Sequence, residues 1–420
     1  MRIARPRVLF IAPTLPALTG NGLAMRMGVF AEALARWADV DLAVVPVAGG
    51  GVENTPFLQS LDLRLSRVPW DRRPDTPYTL LSRVADPAAR LQTFKAYGKP
   101  TIARTLTARM AESIGHLVGD GRYDLVHIGR SYMTPLARFL PETTPVTLDL
   151  DEDDRASFAS RAALARRSGN CFLADWLDQE GHACDGLIAA MAGRLQRAFA
   201  ANVRECENLA RRHPGVRFET VPNAVDIPRH MPRIEDGRSI LFVGSLSYEP
   251  NADSILWFAR TIMPRLRTRF GRCRLTIAGA NPPLAVRALG RHPDIRVLGF
   301  VDDLAEVYRR ASLLIAPMQA GGGTRIKVLE AAAFGLATVA SAQAADGLFT
   351  SRQPWGWICQ RPSDFVAACA DALSDPRERD RRGKLGYRSV IRQYSREAVV
   401  PRLAALLEEC CGRRALKGAH

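Results

Sequence analysis

The chain has 420 residues, 47% of them apolar, with 58 Lys and Arg against 43 Asp and Glu for a net charge of +15. That length predicts two domains of about 200 residues each, and the apolar share excludes a disordered chain. No uncharged apolar run reaches the roughly 18 residues of a membrane span, and the short run Val8–Ala12 ends at Pro13, so it reads as a first buried strand and not as a leader.

"RVLFIAP" is expected as a strand, Gly22–Trp37 as a helix and "VDLAVVPV" as a second strand. A stretch from Pro77 to Val118 reads as mostly helical. Further strands are expected at "DLVHI", "PVTLDLD", "GLIAA" and "RFETVPN". Near-continuous apolar strands alternating with helices indicate a parallel sheet covered on both faces.

The polar segment Met231–Ser239 reads as a linker, after which the rhythm restarts. "ILFVG", a helix from about Ala252 to Arg269, "CRLTIAGA", "IRVLGF", "SLLIAPM" and "ATVAS" follow, separated by helical segments. Val399, Leu403, Leu406 and Leu407 lie on one face of a final helix, Ser395–Cys411. The expected fold class is α/β, with two doubly wound Rossmann-like domains facing across a cleft. The expected domains are 1–232 and 233–394, with 395–412 as a helix returning to the first. In such sheets ligands bind at the carboxyl ends of the strands.

Only five of the 58 cations are Lys, the Arg doublets are dispersed, and no basic–aromatic interleaving appears, which argues against nucleic acid as a partner. Contact of Arg-rich helices of the first half with an anionic membrane surface suits the charge better. The eight cysteines include no C-x-x-C pair and no spacing for zinc, so they are expected as reduced thiols. A cytoplasmic location follows as the expectation.

"GGGTRIKVLEAAAFG" (Gly321–Gly335) is the stretch richest in chemistry. Glycines after a strand let backbone N–H groups approach a ligand, and a helix N-terminus favours an anion. Arg325 and Lys327 are unfavourable beside that positive end unless a bound diphosphate compensates. Lys327 and Glu330 share a face, and Glu330 lies about 9 Å along the axis from Thr324, roughly the reach from a diphosphate to a ribose. The alternative is a solvated Lys327–Glu330 pair on an ordinary helix. "TGNGLAMR" after the first strand puts Gly20 and Gly22 at a strand-to-helix turn, with Arg26 one turn in as a candidate anion contact; G-x-G-x-x-G is absent. His127 ends the strand "DLVHI", as a ligand contact or a satisfied core residue. "LDLDEDD" concentrates Asp149, Asp151, Glu152, Asp153 and Asp154, either as a metal site or as a strand end with an acid-capped helix lining a cleft.

"GGGTRIKVLEAAAFGLATVAS", with "ILFVGSLSYEPN", "LTIAGANPP", "IRVLGFVDD" and "VPNAVD", resembles the family 4 glycosyltransferases of the GT-B class, and is similar to bacterial exopolysaccharide sugar transferases. The resemblance implies a second domain that binds a nucleotide-diphospho-sugar and a first domain that holds a saccharide or lipid-linked acceptor. It implies a retaining hexosyl transfer in polysaccharide or glycoconjugate synthesis, with no cofactor and no metal. Glu330 then holds the ribose, and Lys327 and Arg325 face the phosphates. Gly322, Gly323 and Thr324 contribute backbone N–H groups, Phe300 and Val301 flank the base, and Gly244 and Ser245 face the cleft. For Phe300 a place in the core is the alternative, and Asp302 and Asp303 are expected to cap a helix. Gly20 and Gly22 lie under the sugar phosphate, His127 contacts the sugar, and Arg130 and Asp151 contact the acceptor. Two departures stand out. Many members carry a glutamate where this chain has Gly322, and many carry an Arg and a Lys in the loop that here reads "GSLSYEPN". A nucleotide-sugar epimerase and a non-catalytic nucleotide-sugar-binding protein are the alternatives.

Overall fold

A computed structural model describes residues 5–49, 53–70, 72–119, 123–228, 233–350 and 352–411. The chain forms two compact units, Met1–Asn223 with Val399–His420, and Ala224–Ala398. Of the expected linker, Met231 and Pro232 lie outside the described residues, as does Gly412 of the expected terminal segment.

The first unit is built on seven parallel strands in the order β3-β2-β1-β4-β5-β6-β7. They are β1 (Arg7–Ala12), β2 (Asp39–Val44), β3 (Arg64–Arg67), β4 (Leu125–Gly129), β5 (Val146–Asp151), β6 (Leu195–Ala200) and β7 (Phe218–Thr220). β1, β4 and β5 are buried along almost their whole length, as parallel strands covered by helices must be. The stretch 77–118 is helical over Thr76–Arg83, Pro87–Tyr97 and Ala108–Val118, with a 3-10 turn at Thr101–Thr105.

"GLIAA" is not a strand but the end of the helix Cys171–Met191, and the strand is the next segment, β6. The short apolar run suits either state, and here the helix that precedes it simply continues. β6 carries Arg197 at its centre, a residue that argues against a buried strand until its partners are known. Arg197 is 4% exposed because the terminal helix Arg396–Cys410 covers it, accepting through the Leu406 carbonyl at 3.2 Å and the Glu409 carboxylate at 3.2 Å. The same helix buries Val399, Val400, Leu403 and Leu407.

The second unit has six parallel strands in the order β10-β9-β8-β11-β12-β13. They are β8 (Ser239–Val243), β9 (Arg274–Ala278), β10 (Ile295–Gly299), β11 (Leu313–Ala316), β12 (Thr338–Ser341) and β13 (Gly356–Cys359). Strand order reverses between β8 and β11, so the crevice at their carboxyl ends is the topological switch point where α/β sheets take ligands. Residues just before β8 are bound to this unit and not loose. The Arg233 guanidinium donates to the Ala311 carbonyl at 3.0 Å, and Glu235 accepts from the buried Arg379 at 2.7 Å. All eight cysteines are free thiols, seven of them buried. No helix among the described residues is long and apolar enough to cross a membrane.

Candidate functional site

At the switch point the loop after β11 leads into the helix Ile326–Ala333, and the loop after β8 leads into the helix Glu249–Trp257. Gly321 and Gly323 have φ of +96° and +70°, a region that favours glycine. Gly244, with φ +155°, has no room for a side chain, since a Cβ there would lie 2.8 Å from both Asn251 Nδ2 and Lys327 Nζ.

Arg325 is the N-cap of the helix and is 9% exposed. Its guanidinium turns back into the glycine loop, donating to the Gly321 carbonyl at 2.8 Å and to the Gly322 carbonyl. Gln343 Nε2 donates to the same Gly321 oxygen at 2.7 Å. The expectation that Arg325 faces a phosphate is therefore corrected: loop carbonyls take both arms of its fork, and it braces the loop.

Lys327 follows a different course. Its ammonium donates to Asn251 Oδ1 at 2.7 Å and lies 4.4 Å from the centroid of the Phe242 ring. Burial, reinforced by the charge of Arg325 and opposed by Glu330, pulls its pKa down to about 7. Glu330, one turn along, accepts from the Tyr308 hydroxyl at 2.8 Å. Burial pushes its carboxyl up to about 6, against the hydrogen bond from Tyr308 and the charge of Lys327. Tyr308 is itself buried and stacks on Phe334 with centroids 5.1 Å apart. Phe300 stands outside the core at the end of β10, 71% exposed, with Val301 half-buried beside it. Ser245 is exposed at the end of β8, and Thr324 is half-buried before the helix. Asp303 caps the helix Leu304–Arg310, accepting from the Ala305 N–H at 2.8 Å.

The candidates of the first unit are placed otherwise. Gly20 has φ +109° and is exposed in the turn after β1, and Gly22 begins the helix Gly22–Ala35, which Asn21 caps. His127 is corrected from a sugar contact to a core residue. It is 0% exposed, stacks on Phe30 at 4.4 Å, touches Phe10, and shares a hydrogen bond between Nδ1 and the Thr147 hydroxyl at 3.0 Å. Its Nε2 is buried without a partner among the described residues, and burial, with help from Arg26, drops its pKa to about 3. A ring held neutral inside the sheet has no route to a substrate.

Arg26, the candidate anion contact, is 2% exposed and clasps Asp149 through two bonds of 2.7 and 2.6 Å, while its third nitrogen donates to the Val221 carbonyl at 3.0 Å and to Asn223 at 3.1 Å. Arg130, expected as an acceptor contact, is also corrected. It is 7% exposed, donating to the Leu150 carbonyl and Asp154, both at 2.6 Å. Asp153 caps the helix Asp154–Arg167 and pairs with Arg212 at 2.7 Å. Asp154, held by Arg130 and the Ser131 hydroxyl, has its pKa pushed up by burial against the pull of Arg130. Arginines thus engage Asp149, Asp151, Glu152, Asp153 and Asp154. This favours the structural reading of the cluster over the metal site. Asp151 keeps 19% of its side chain open to solvent, sits at φ +63°, and accepts from Asn223 at 3.1 Å.

Residues 237–375 match the family model described as Glycosyl transferases group 1. The match falls within the second unit. The chain as a whole has the GT-B fold of two Rossmann-like domains. Sucrose-phosphate synthase from Thermosynechococcus elongatus superposes with a TM-score of 0.70 at 15% identity, covering 96% of this chain and 99% of that one. WaaG, a glycosyltransferase involved in lipopolysaccharide biosynthesis, gives 0.63 at 13% identity over 95% and 99%. The Anabaena protein HepE, solved in complex with UDP and glucose, gives 0.61 at 11% identity over 96% and 99%. No curated protein matches the sequence.

Three residues of this candidate site escape a reading of the sequence alone. Asn251, Tyr308 and Gln343 reach it from segments remote from the glycine loop, 76, 22 and 22 residues from the groups they bind. The "YEPN" stretch marked Asn251, but nothing in the spacing paired it with Lys327.

Proposed function

We propose that the protein moves a hexosyl group from a nucleotide-diphospho-sugar to a saccharide or lipid-linked acceptor, with retention of configuration and without a metal. One juxtaposition carries the reading: Lys327 and Glu330 stand on one face of the helix that opens from the glycine loop, at the switch point of the sheet. As the bond between the anomeric carbon and the phosphate oxygen breaks, its electron pair goes to the diphosphate. The Lys327 ammonium and the helix N-terminus face that growing charge. The acceptor hydroxyl forms the new bond and yields its proton to a leaving phosphate oxygen. Glu330, steadied by Tyr308, has the chemistry to accept from ribose hydroxyls, and Phe300 offers an open aromatic face for the base. Gly20, Gly22 and Asp151 remain candidate sugar and acceptor contacts. Support for an anionic membrane surface as a partner comes from the exposed Leu80, which shares the helix Thr76–Arg83 with the exposed Arg83, and from the exposed Phe172, which begins the helix that follows the exposed Arg166 and Arg167. That partnership would make a cytoplasmic protein peripheral to the membrane and suits exopolysaccharide synthesis.

Purified protein incubated with a panel of nucleotide sugars and EDTA is expected to release nucleotide slowly, and faster with acceptor. Isomerised donor, or binding without turnover, would overturn the reading. Glu330→Ala is expected to weaken nucleotide binding by about 10- to 100-fold, the worth of one or two hydrogen bonds to a charged group. Unchanged affinity in calorimetry would remove its ribose role.

The pH dependence follows from the same pair. The ribose bonds need Glu330 ionised, which favours pH above about 6, and the diphosphate needs Lys327 protonated, which favours pH below about 7. The profile of kcat/KM, which reports the free enzyme, should therefore be a narrow bell between those values. The donor's diphosphate diester does not titrate there, so a flat profile to pH 9 would exclude Lys327 from the rate.

A further inference from the structure

The loop after β8, "GSLSYEPN", contains no cation, yet it forms half of the crevice where a diphosphate would lie. Its positive charge comes from the other strand's helix. Lys327 Nζ would stand 2.8 Å from a Cβ placed on Gly244, so the ammonium lies directly against this loop. Three side chains meet it there. The Phe242 ring lies beneath it, the Met318 thioether is 3.8 Å away, and Asn251 Oδ1 at 2.7 Å is the oxygen that accepts from it among the described residues.

Asn251 is placed to do this by its own fixation. It is 7% exposed, and its Nδ2 donates to the Ser245 carbonyl at 2.8 Å. That bond settles the amide's orientation, since the nitrogen faces a carbonyl and the oxygen must face the ammonium. One side chain thereby ties the backbone after β8 to the tip of Lys327.

We infer that Asn251 is a positioning residue for the transfer: it holds the Lys327 ammonium against the Gly244–Ser245 turn, where the donor's diphosphate takes its positive charge. The inference rests on the nucleotide-sugar reading above, and deepens it. The acceptor is neutral, so Lys327 is oriented without being neutralised, and its charge stays available to a ligand. A carboxylate at this position would instead hold the ammonium as an ion pair and compete with the phosphates. The charged groups acting on Lys327 are Arg325 and Glu330, both from its own segment, whereas β8 and the helix Glu249–Trp257 present Phe242 and Asn251, which are neutral.

The test follows Lys327 directly. The chain has five lysines, so the full-length protein labelled with 13Cε-lysine gives few signals, and Lys327→Arg identifies the one that matters. Asn251→Asp, which is isosteric, should raise the titration midpoint of Lys327 by about one to three pH units. It should carry the falling limb of the kcat/KM profile upward with it and weaken binding of inorganic pyrophosphate at pH 6. Asn251→Ala should move the midpoint down, because an acceptor is lost. Both variants leaving the Lys327 midpoint and the pH limb where they are in the native protein, with melting unchanged, would overturn the inference. If alanine at this buried place prevents folding, the isosteric variant decides alone. Failure of the native protein to bind pyrophosphate or turn over any nucleotide sugar would instead strike the functional reading, and the lysine signal would still report whether Asn251 orients Lys327.

Discussion

Lys327→Met is expected to lower kcat/KM by about 10²- to 10³-fold, the range found when one preorganised charge-stabilising group is removed. Methionine matches the length of the lysine stem and suits the Phe242 and Met318 surroundings. The native protein buries an ammonium whose pKa is pulled down to about 7, so it holds fewer protons than the unfolded chain between that value and about 10.5. Stability therefore rises with pH across this window, and the buried ammonium costs stability as pH falls through it. Methionine removes this cost. The variant should melt at or above the native temperature at pH 6 while losing activity. A variant that melts earlier and is inactive would show only a damaged fold, and a fully active one would remove Lys327 from the chemistry. Arg325 offers no substitute, since its guanidinium is committed to the carbonyls of Gly321 and Gly322.

Arg26→Met should produce the largest loss of stability in the first unit, roughly 3–5 kcal/mol, the usual result of removing one partner of a buried ion pair. Asp149 is 0% exposed and would be left facing a hydrophobic side chain, and the Val221 carbonyl and Asn223 would lose a donor. Chemical denaturation of the variant measures this directly. Adding Asp149→Leu should recover a large part of the loss, because a buried pair replaced on both sides by apolar groups is often neutral. If the single substitution costs under about 1 kcal/mol, the network is solvated and the description of a sealed cluster is wrong.

These two arginines mark the limit of what a one-dimensional pattern reveals. Arg26 and Arg325 both stand at helix entrances beside glycines, a setting that suggests anions, and both turn inward. Arg26 meets a carboxylate 123 residues away, and Arg325 meets carbonyls three and four residues back. A sequence states the charge of a side chain but not whether its counter-charge is a ligand, an acid from another strand or the backbone of its own loop. The same ambiguity holds for His127, since alternation along β4 tells that it points across the sheet from Val126 and Ile128 but not that Phe10, Phe30 and Phe199 enclose it.

Strands were legible where they are central and apolar. β1, β4, β5, β8, β9 and β11 announce themselves because both faces are covered and the apolar run is continuous. β3 (Arg64–Arg67) and β13 (Gly356–Cys359) are short edge strands, one rich in arginine and the other carrying an exposed Ile358, so neither carries that signal. β6 escaped because its central Arg197 is stabilised by a helix from the far end of the chain.

By itself the sequence determined the α/β class, the restart of the strand rhythm near residue 239, and the glycine loop with Lys327 and Glu330 on one helical face. Those follow from local periodicity and from backbone conformations that only glycine adopts readily. The tertiary structure alone decided which cations stay available and which are committed, and it brought Asn251 and Tyr308 to Lys327 and Glu330. Pairing across strands depends on sheet order and on which side chain stands opposite, and neither is encoded in the spacing of any single segment.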